Sequence, residues 1–77
     1  MKARELETRL RNPGLLVLFT SDPDKGDTFE FGTHAELSEE ADAIREQGGT
    51  CELTASEDLA DRLDFEAYGD QEITVRI

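Results

Sequence analysis

The run LLVLF at positions 15–19 restricts the fold more than any other feature of the chain. Five apolar residues in succession fall far short of the roughly 18 that cross a membrane. As a strand, the run is apolar on both faces, which places it in the middle of a sheet rather than at an edge. Asn12-Pro13-Gly14 precedes it and stops any helix upstream, because proline cannot continue the hydrogen-bond ladder and glycine supplies the turn. Downstream, TFEF at positions 28–31 alternates polar and apolar residues, sending Phe29 and Phe31 inward and Thr28 and Glu30 outward. The two runs are expected to form an antiparallel hairpin.

Between them lies SDPDKGD, with Asp22, Asp24 and Asp27 set around a proline and a glycine. A calcium loop of the EF-hand type beginning at Asp22 fails where it is most demanding. A ligand position falls on Gly26, the turn-making glycine position on Asp27, and the bidentate glutamate position on Thr33. A turn fits better: Pro23 presets φ, Asp24 favours the next position, and Gly26 takes the positive φ that closes the hairpin. The stretch is read as a metal-free hairpin tip.

Helical periodicity accounts for most of the rest. Ala3, Leu6 and Leu10 form the apolar stripe of a short helix over residues 2–11. THAE offers a capping box, Thr33 to Glu36, for a helix over residues 34–47 that ends at Gly48-Gly49. TCEL at 50–53 is a short strand. TASE repeats the start signal, with Thr54 and Glu57 opening a helix to about residue 64. Tyr68-Gly69-Asp70 turns the chain, and EITVRI is a last strand burying Ile73, Val75 and Ile77. FEFG-THAEL and TCEL-TASEDL thus look like two copies of one strand-then-helix unit. Strand–helix–strand–helix–strand implies right-handed crossovers and mutually parallel neighbours, with the first hairpin strand antiparallel. The expected fold is α+β: a two-layer α/β sandwich in the order α-β-β-α-β-α-β, with a four-stranded mixed sheet and an N-terminal helix. One domain fills residues 1–77, comprising the helix of residues 1–12 and an acidic body of residues 13–77. With 36% hydrophobic residues, four Phe, one Tyr and no Trp, its core is small.

Charge is the strongest functional signal. The chain carries 19 acidic against 8 basic residues, a formal net charge of −11. Lys2, Arg4, Arg9 and Arg11 outnumber Glu5 and Glu7 in the first helix, so the excess lies wholly in the body. Such a field repels nucleic acid and anionic membranes and attracts basic surfaces. Leu37, Ala41 and Ile44 lie on one side of the longer helix, and Glu36, Glu39, Glu40, Asp42 and Glu46 on the other, with Arg45 at the boundary. In the next helix Leu59 and Leu63 face inward, while Glu57, Asp61 and Asp64 stand on one line. Like charges at these spacings each cost a helix a few tenths of a kcal/mol, whereas Glu–Lys pairs would be stabilising and equally soluble. If both helices lie on one sheet face, their carboxylate rows run side by side and imitate a nucleic-acid backbone.

The resulting expectation is a small non-enzymatic acidic protein that inhibits or regulates a basic, nucleic-acid-handling partner by phosphate-backbone mimicry, in the manner of phage anti-CRISPR and anti-restriction inhibitors. No motif ties the chain to a family of them. The partner-binding residues are Glu36, Glu39, Glu40, Asp42, Glu46, Glu57, Asp61 and Asp64, supported by Asp22, Asp24 and Asp27 at the hairpin tip. The alternative is a structural or assembly domain adapted to a high-salt cytoplasm, favoured by the acidity and by six Arg against two Lys. The basic first helix either packs on the acidic body or pairs with another copy to form a homodimer.

Catalysis finds little support. His34 is the sole histidine and sits in a first helical turn, and Cys51 reads as a small core residue of a short strand. No nucleophile–base pair or phosphate loop is present, and no metal or cofactor is implied. One cysteine, no apolar signal-peptide core and no membrane-length run point to the cytoplasm.

Overall fold

The computed structural model describes residues 1–24 and 26–76; Lys25, in the hairpin tip, and the expected burial of Ile77 lie outside them. The elements are α1 (Ala3–Leu10), β1 (Leu16–Asp22), β2 (Gly26–Phe31), α2 (His34–Glu46), β3 (Cys51–Ala55), α3 (Ser56–Arg62), a 3-10 helix (Phe65–Tyr68) and β4 (Thr74–Arg76). The fold is α+β, with the element order, mixed four-stranded sheet and N-terminal helix expected from the sequence.

The strand order is β3-β1-β2-β4, so β1 is central. It runs antiparallel to both β2 and β3, and β2 pairs parallel with β4. Strands β2, β3 and β4 therefore share one direction, but β3 lies across β1 from β2, so only β2 and β4 are parallel neighbours.

Alternation along β1 divides the core in two. Val17 joins Ala3, Leu6 and Leu10 of α1, Phe29 and Phe31 of β2, Leu59 and Ala60 of α3, and Ile73 in one buried cluster. Leu18 faces the other way, where it meets Leu37 and Ala41 of α2, with Leu16, Ile44, Cys51 and Leu53 packed around them. The helices thus cover both faces of the sheet: α1 and α3 on one, α2 on the other. This layering removes the premise of side-by-side acidic helices. The physical reason lies in the strand order. The β2-to-β3 connection crosses the sheet in one direction and the β3-to-β4 connection returns across it. Two crossovers of the same right hand but opposite direction place their helices on opposite faces.

The first cluster carries most of the apolar burial. Leu6, Leu10, Val17 and Phe29 are fully buried, and burying a side chain of this size contributes roughly 1.5–3 kcal/mol. Phe19 and Phe29 meet edge to face at 5.0 Å between ring centroids, and the Arg9 guanidinium lies 5.9 Å from the centre of the Phe31 ring. Tyr68 extends this layer by donating its hydroxyl to Asp27 at 2.6 Å.

Local signals behave unequally. The THAE capping box forms: Thr33 Oγ1 accepts from the Glu36 backbone, and Glu36 accepts from the Thr33 backbone. At the other end of α2, Gly48 adopts φ +84 and donates to Arg45, while Gly49 donates to Ile44, the Schellman arrangement. A Cβ on Gly49 would lie 2.8 Å from Ile44 Cγ2, so both glycines are required. TASE does not cap. Thr54 is a strand residue paired with Val17, and α3 begins after Ala55 with no side-chain cap. Pairing with β1 holds Thr54 and Ala55 in the sheet, and Ser56 N donates to Leu15 O. Tertiary pairing outweighs a local start signal here.

Candidate functional site

Helix α2 presents the densest group of acids. Its apolar side seats Leu37 and Ala41 on β1 and β3, and Cys51 Sγ lies 3.7 Å from the Ala41 carbonyl beneath the helix. Glu36, Glu39, Glu40, Asp42 and Glu46 are all exposed, as the wheel requires. Among the described residues Glu39, Glu40 and Glu46 form no ion pair. Asp42 lies 4.0 Å from Arg45, and Glu36 is held by its cap, which lowers its carboxyl pKa through the bonds to Thr33.

Glu30 belongs to this group as well. Its side chain leaves β2 on the α2 side of the sheet, opposite Phe29 and Phe31. Burial pushes its carboxyl pKa up, and repulsion from Glu40 and then Glu36 adds to the rise while Arg76 opposes it. Alternation along TFEF places Glu30 away from the phenylalanines. It does not reveal that α2 lies over that outward face, which depends on strand order.

Most of the remaining acids singled out from the sequence lie elsewhere and are engaged, although Glu57 of α3, with its neighbour Asp58, is exposed. Asp61 of α3 accepts from Arg11, the C-cap of α1, at 3.2 Å. Asp64 lies past the end of α3, where Leu63 is extended, and caps the 3-10 helix by accepting from Glu66 N at 3.2 Å. It therefore does not continue the line of Glu57 and Asp61. Glu52 of β3 is paired with Arg62. Glu72 accepts from the Met1 ammonium at 2.8 Å with Lys2 alongside, contacts that lower its pKa. Of the three tip carboxylates, Asp22 accepts from Asp24 N at 2.7 Å. Asp27 holds both Ser21 Oγ, at 2.9 Å, and the Tyr68 hydroxyl, while Asp24 is exposed. Burial and the bond to Asp27 raise the Tyr68 pKa. The tip is turn chemistry, with Gly26 at φ +82, and Asp27 ties it to the 3-10 helix.

The basic residues that cap α1 account for much of this. Lys2 and Arg11 reach the body's own Glu72 and Asp61, so the first helix packs on the same chain. His34 is exposed and lies 3.4 Å from Ser38 Oγ through Nδ1. Comparison of the chain with protein-family models, with characterised proteins and with solved structures finds no match. Among the described residues no helix is long and apolar enough to span a membrane.

Proposed function

We propose that the protein is a non-enzymatic acidic binder whose α2 face occupies a basic, nucleic-acid-binding surface on a protein partner and regulates it by charge mimicry. One observation carries the reading: Glu39, Glu40 and Glu46 stand exposed on α2 without ion pairs among the described residues, whereas Asp61, Glu52 and Glu72 are paired to Arg11, Arg62, Lys2 and the N-terminal ammonium. Carboxylates three and four residues apart on a helix lie about 5–6 Å apart at their Cβ atoms, the steps from Glu39 to Asp42 and from Asp42 to Glu46, a spacing suited to replacing phosphates in a basic groove. Within the larger set expected from sequence, Glu39, Asp42 and Glu46 form the proposed contact row, with Glu40 and Glu30 on its β2 side. Glu36, Asp27, Asp61 and Asp64 serve the fold through their caps and bonds.

The test is capture of partners from a lysate by the wild-type chain, by Glu39→Lys/Glu40→Lys and by a Glu57→Lys control on α3. The first variant is expected to lose a basic nucleic-acid-binding protein that the control retains, with both folded. Equal capture by all three would remove α2 from the proposal. A second reading, adaptation to a high-salt cytoplasm in a structural or assembly role, is favoured by the exposed Glu57 and Asp58 on the face opposite α2. Folding in dilute buffer separates the two. A salt-adapted chain gains its structure only as salt rises, while the proposed binder is folded without salt and loses its partner as salt screens the contact.

A further inference from the structure

Strand β3 ends the sheet, and among the described residues nothing pairs with its outer side. The register and one bond show which groups it leaves free. Ser56 N donates to Leu15 O at 2.9 Å, which makes Leu15–Ser56 a hydrogen-bonded position of the antiparallel pair. The hydrogen-bonded positions then recur at Val17–Thr54 and Phe19–Glu52. Cys51, Leu53 and Ala55 are the alternate residues, so their N–H and C=O groups point away from β1.

We propose that this edge pairs with β3 of a second copy, antiparallel about a two-fold axis at Leu53, to give one continuous eight-stranded sheet. That register is self-complementary. Leu53 meets its own counterpart, and Cys51 meets Ala55 of the second copy, a row of small and apolar side chains on the α2 face. On the other face Glu52 falls opposite Thr54 rather than opposite a second Glu52, so no like charges are opposed.

The charges around the edge fit the same occupant. Glu36 and Glu40 lie on the flank of α2 toward β2, as their action on Glu30 requires. The opposite flank, which overhangs β3, therefore carries His34, Ser38, Asp42 and Arg45. Its Asp42–Arg45 pair is balanced, and on the other sheet face Arg62 pairs with Glu52 beside the strand while Asp58 also lies near it. Two of the body's few cations thus border this edge, one on each face, in a chain of net charge −11. With two cations against Asp42, Glu52 and Asp58, the edge is far less acidic than the rest of the body, which a second acidic copy tolerates and which gives a basic partner little electrostatic hold. Long-range repulsion between two chains of this charge remains, so added salt strengthens the pairing.

Ala55→Pro tests the interface without disturbing the fold. Ala55 has φ −63 and ψ 135, values proline adopts, and its N–H makes no bond to β1. The wild-type chain is expected to sediment as a dimer whose dissociation constant falls as salt is added, and Ala55→Pro as a monomer with unchanged circular dichroism. The charge pair Thr54→Lys and Thr54→Glu reads the register. Thr54→Lys faces Glu52 of the second copy and tightens the dimer roughly tenfold, while Thr54→Glu weakens it by a similar factor. A wild-type chain monomeric at every salt and protein concentration overturns the proposal, as does a dimer indifferent to all three substitutions. A dimer lost in Ala55→Pro but weakened by Thr54→Lys overturns the register about Leu53.

Discussion

The two faces of the sheet use the same residue types to different ends. On the α1–α3 face, nine buried hydrophobic residues form the main core, and several of the acids around it, Asp61, Glu52, Glu72 and Asp64, are matched by cations or absorbed in a cap. On the α2 face only Leu18, Leu37 and Ala41 are buried in the cluster, and the acids above them are left largely unmatched. Stability is concentrated on one side and uncompensated charge on the other. Charge repulsion on the α2 face thus bears on the smaller of the two cores.

Truncating each core is the strongest way to break this contrast. Phe29→Ala is expected to cost about 3–5 kcal/mol, enough to unfold most molecules of so small a domain. Leu37→Ala should cost about 2–3 kcal/mol, the low end for a leucine, because less of the surrounding core depends on it. Denaturant melts compare them, and equal costs would dissolve the distinction between a main and a minor core.

Tyr68→Phe comes next. It removes a charge-assisted bond that ties the hairpin tip to the 3-10 helix, at about 1–2 kcal/mol. The Tyr68 pKa is raised in the folded state above its ordinary value of 10.0. Its contribution is therefore fully present below that value and is lost as pH rises through the higher folded pKa. Alkaline melts should show this loss in the wild type and not in Tyr68→Phe.

Thr33→Ala sharpens the comparison from the α2 side. Losing the cap should cost about 1 kcal/mol and should raise amide exchange in the first turn of α2 while α1 keeps its protection. Glu30→Gln has the smallest expected effect and the opposite sign. Because the folded pKa of Glu30 is raised, its ionised form opposes folding. Stability falls as pH climbs from the ordinary carboxylate range through that pKa, and the glutamine variant should be slightly more stable at neutral pH. Glu72, whose pKa is lowered, works the other way, supporting the fold above the ordinary range and losing that support as pH falls through its folded pKa. Acid-to-neutral melts of Glu30→Gln and Glu72→Gln should therefore diverge in direction.

Local chemistry made much of the fold legible. The stripe Ala3–Leu6–Leu10, the central position of LLVLF, the inward Phe29 and Phe31, the Thr33–Glu36 box and the Gly48-Gly49 stop all follow from spacing and residue type. Long-range arrangement was not legible in the same way. Nothing in TCEL says that it pairs with β1, and that pairing converts Thr54 from a helix cap into a strand residue and places α2 and α3 on opposite faces. The candidate site suffers the same gap. The wheel separated the acids of α2 correctly, yet only three-dimensional proximity shows Arg11 reaching Asp61 from fifty positions away, Asp27 bound to Tyr68, or Glu30 drawn under Glu36 and Glu40.

The strand order also sets a sequence of assembly. Strands β1 and β2 meet across a short tip, so little chain entropy opposes their pairing, whereas β2 finds β4 only after the whole of α2, β3 and α3 has been threaded between them. Among the described residues the last strand is also the shortest, and it is anchored by Ile73, whose backbone exchanges two bonds with Met1. The two margins of the sheet should accordingly have different lifetimes. Amide exchange is expected to be faster along β4 than along β3, whose pairing with the central β1 makes its margin the more persistent template.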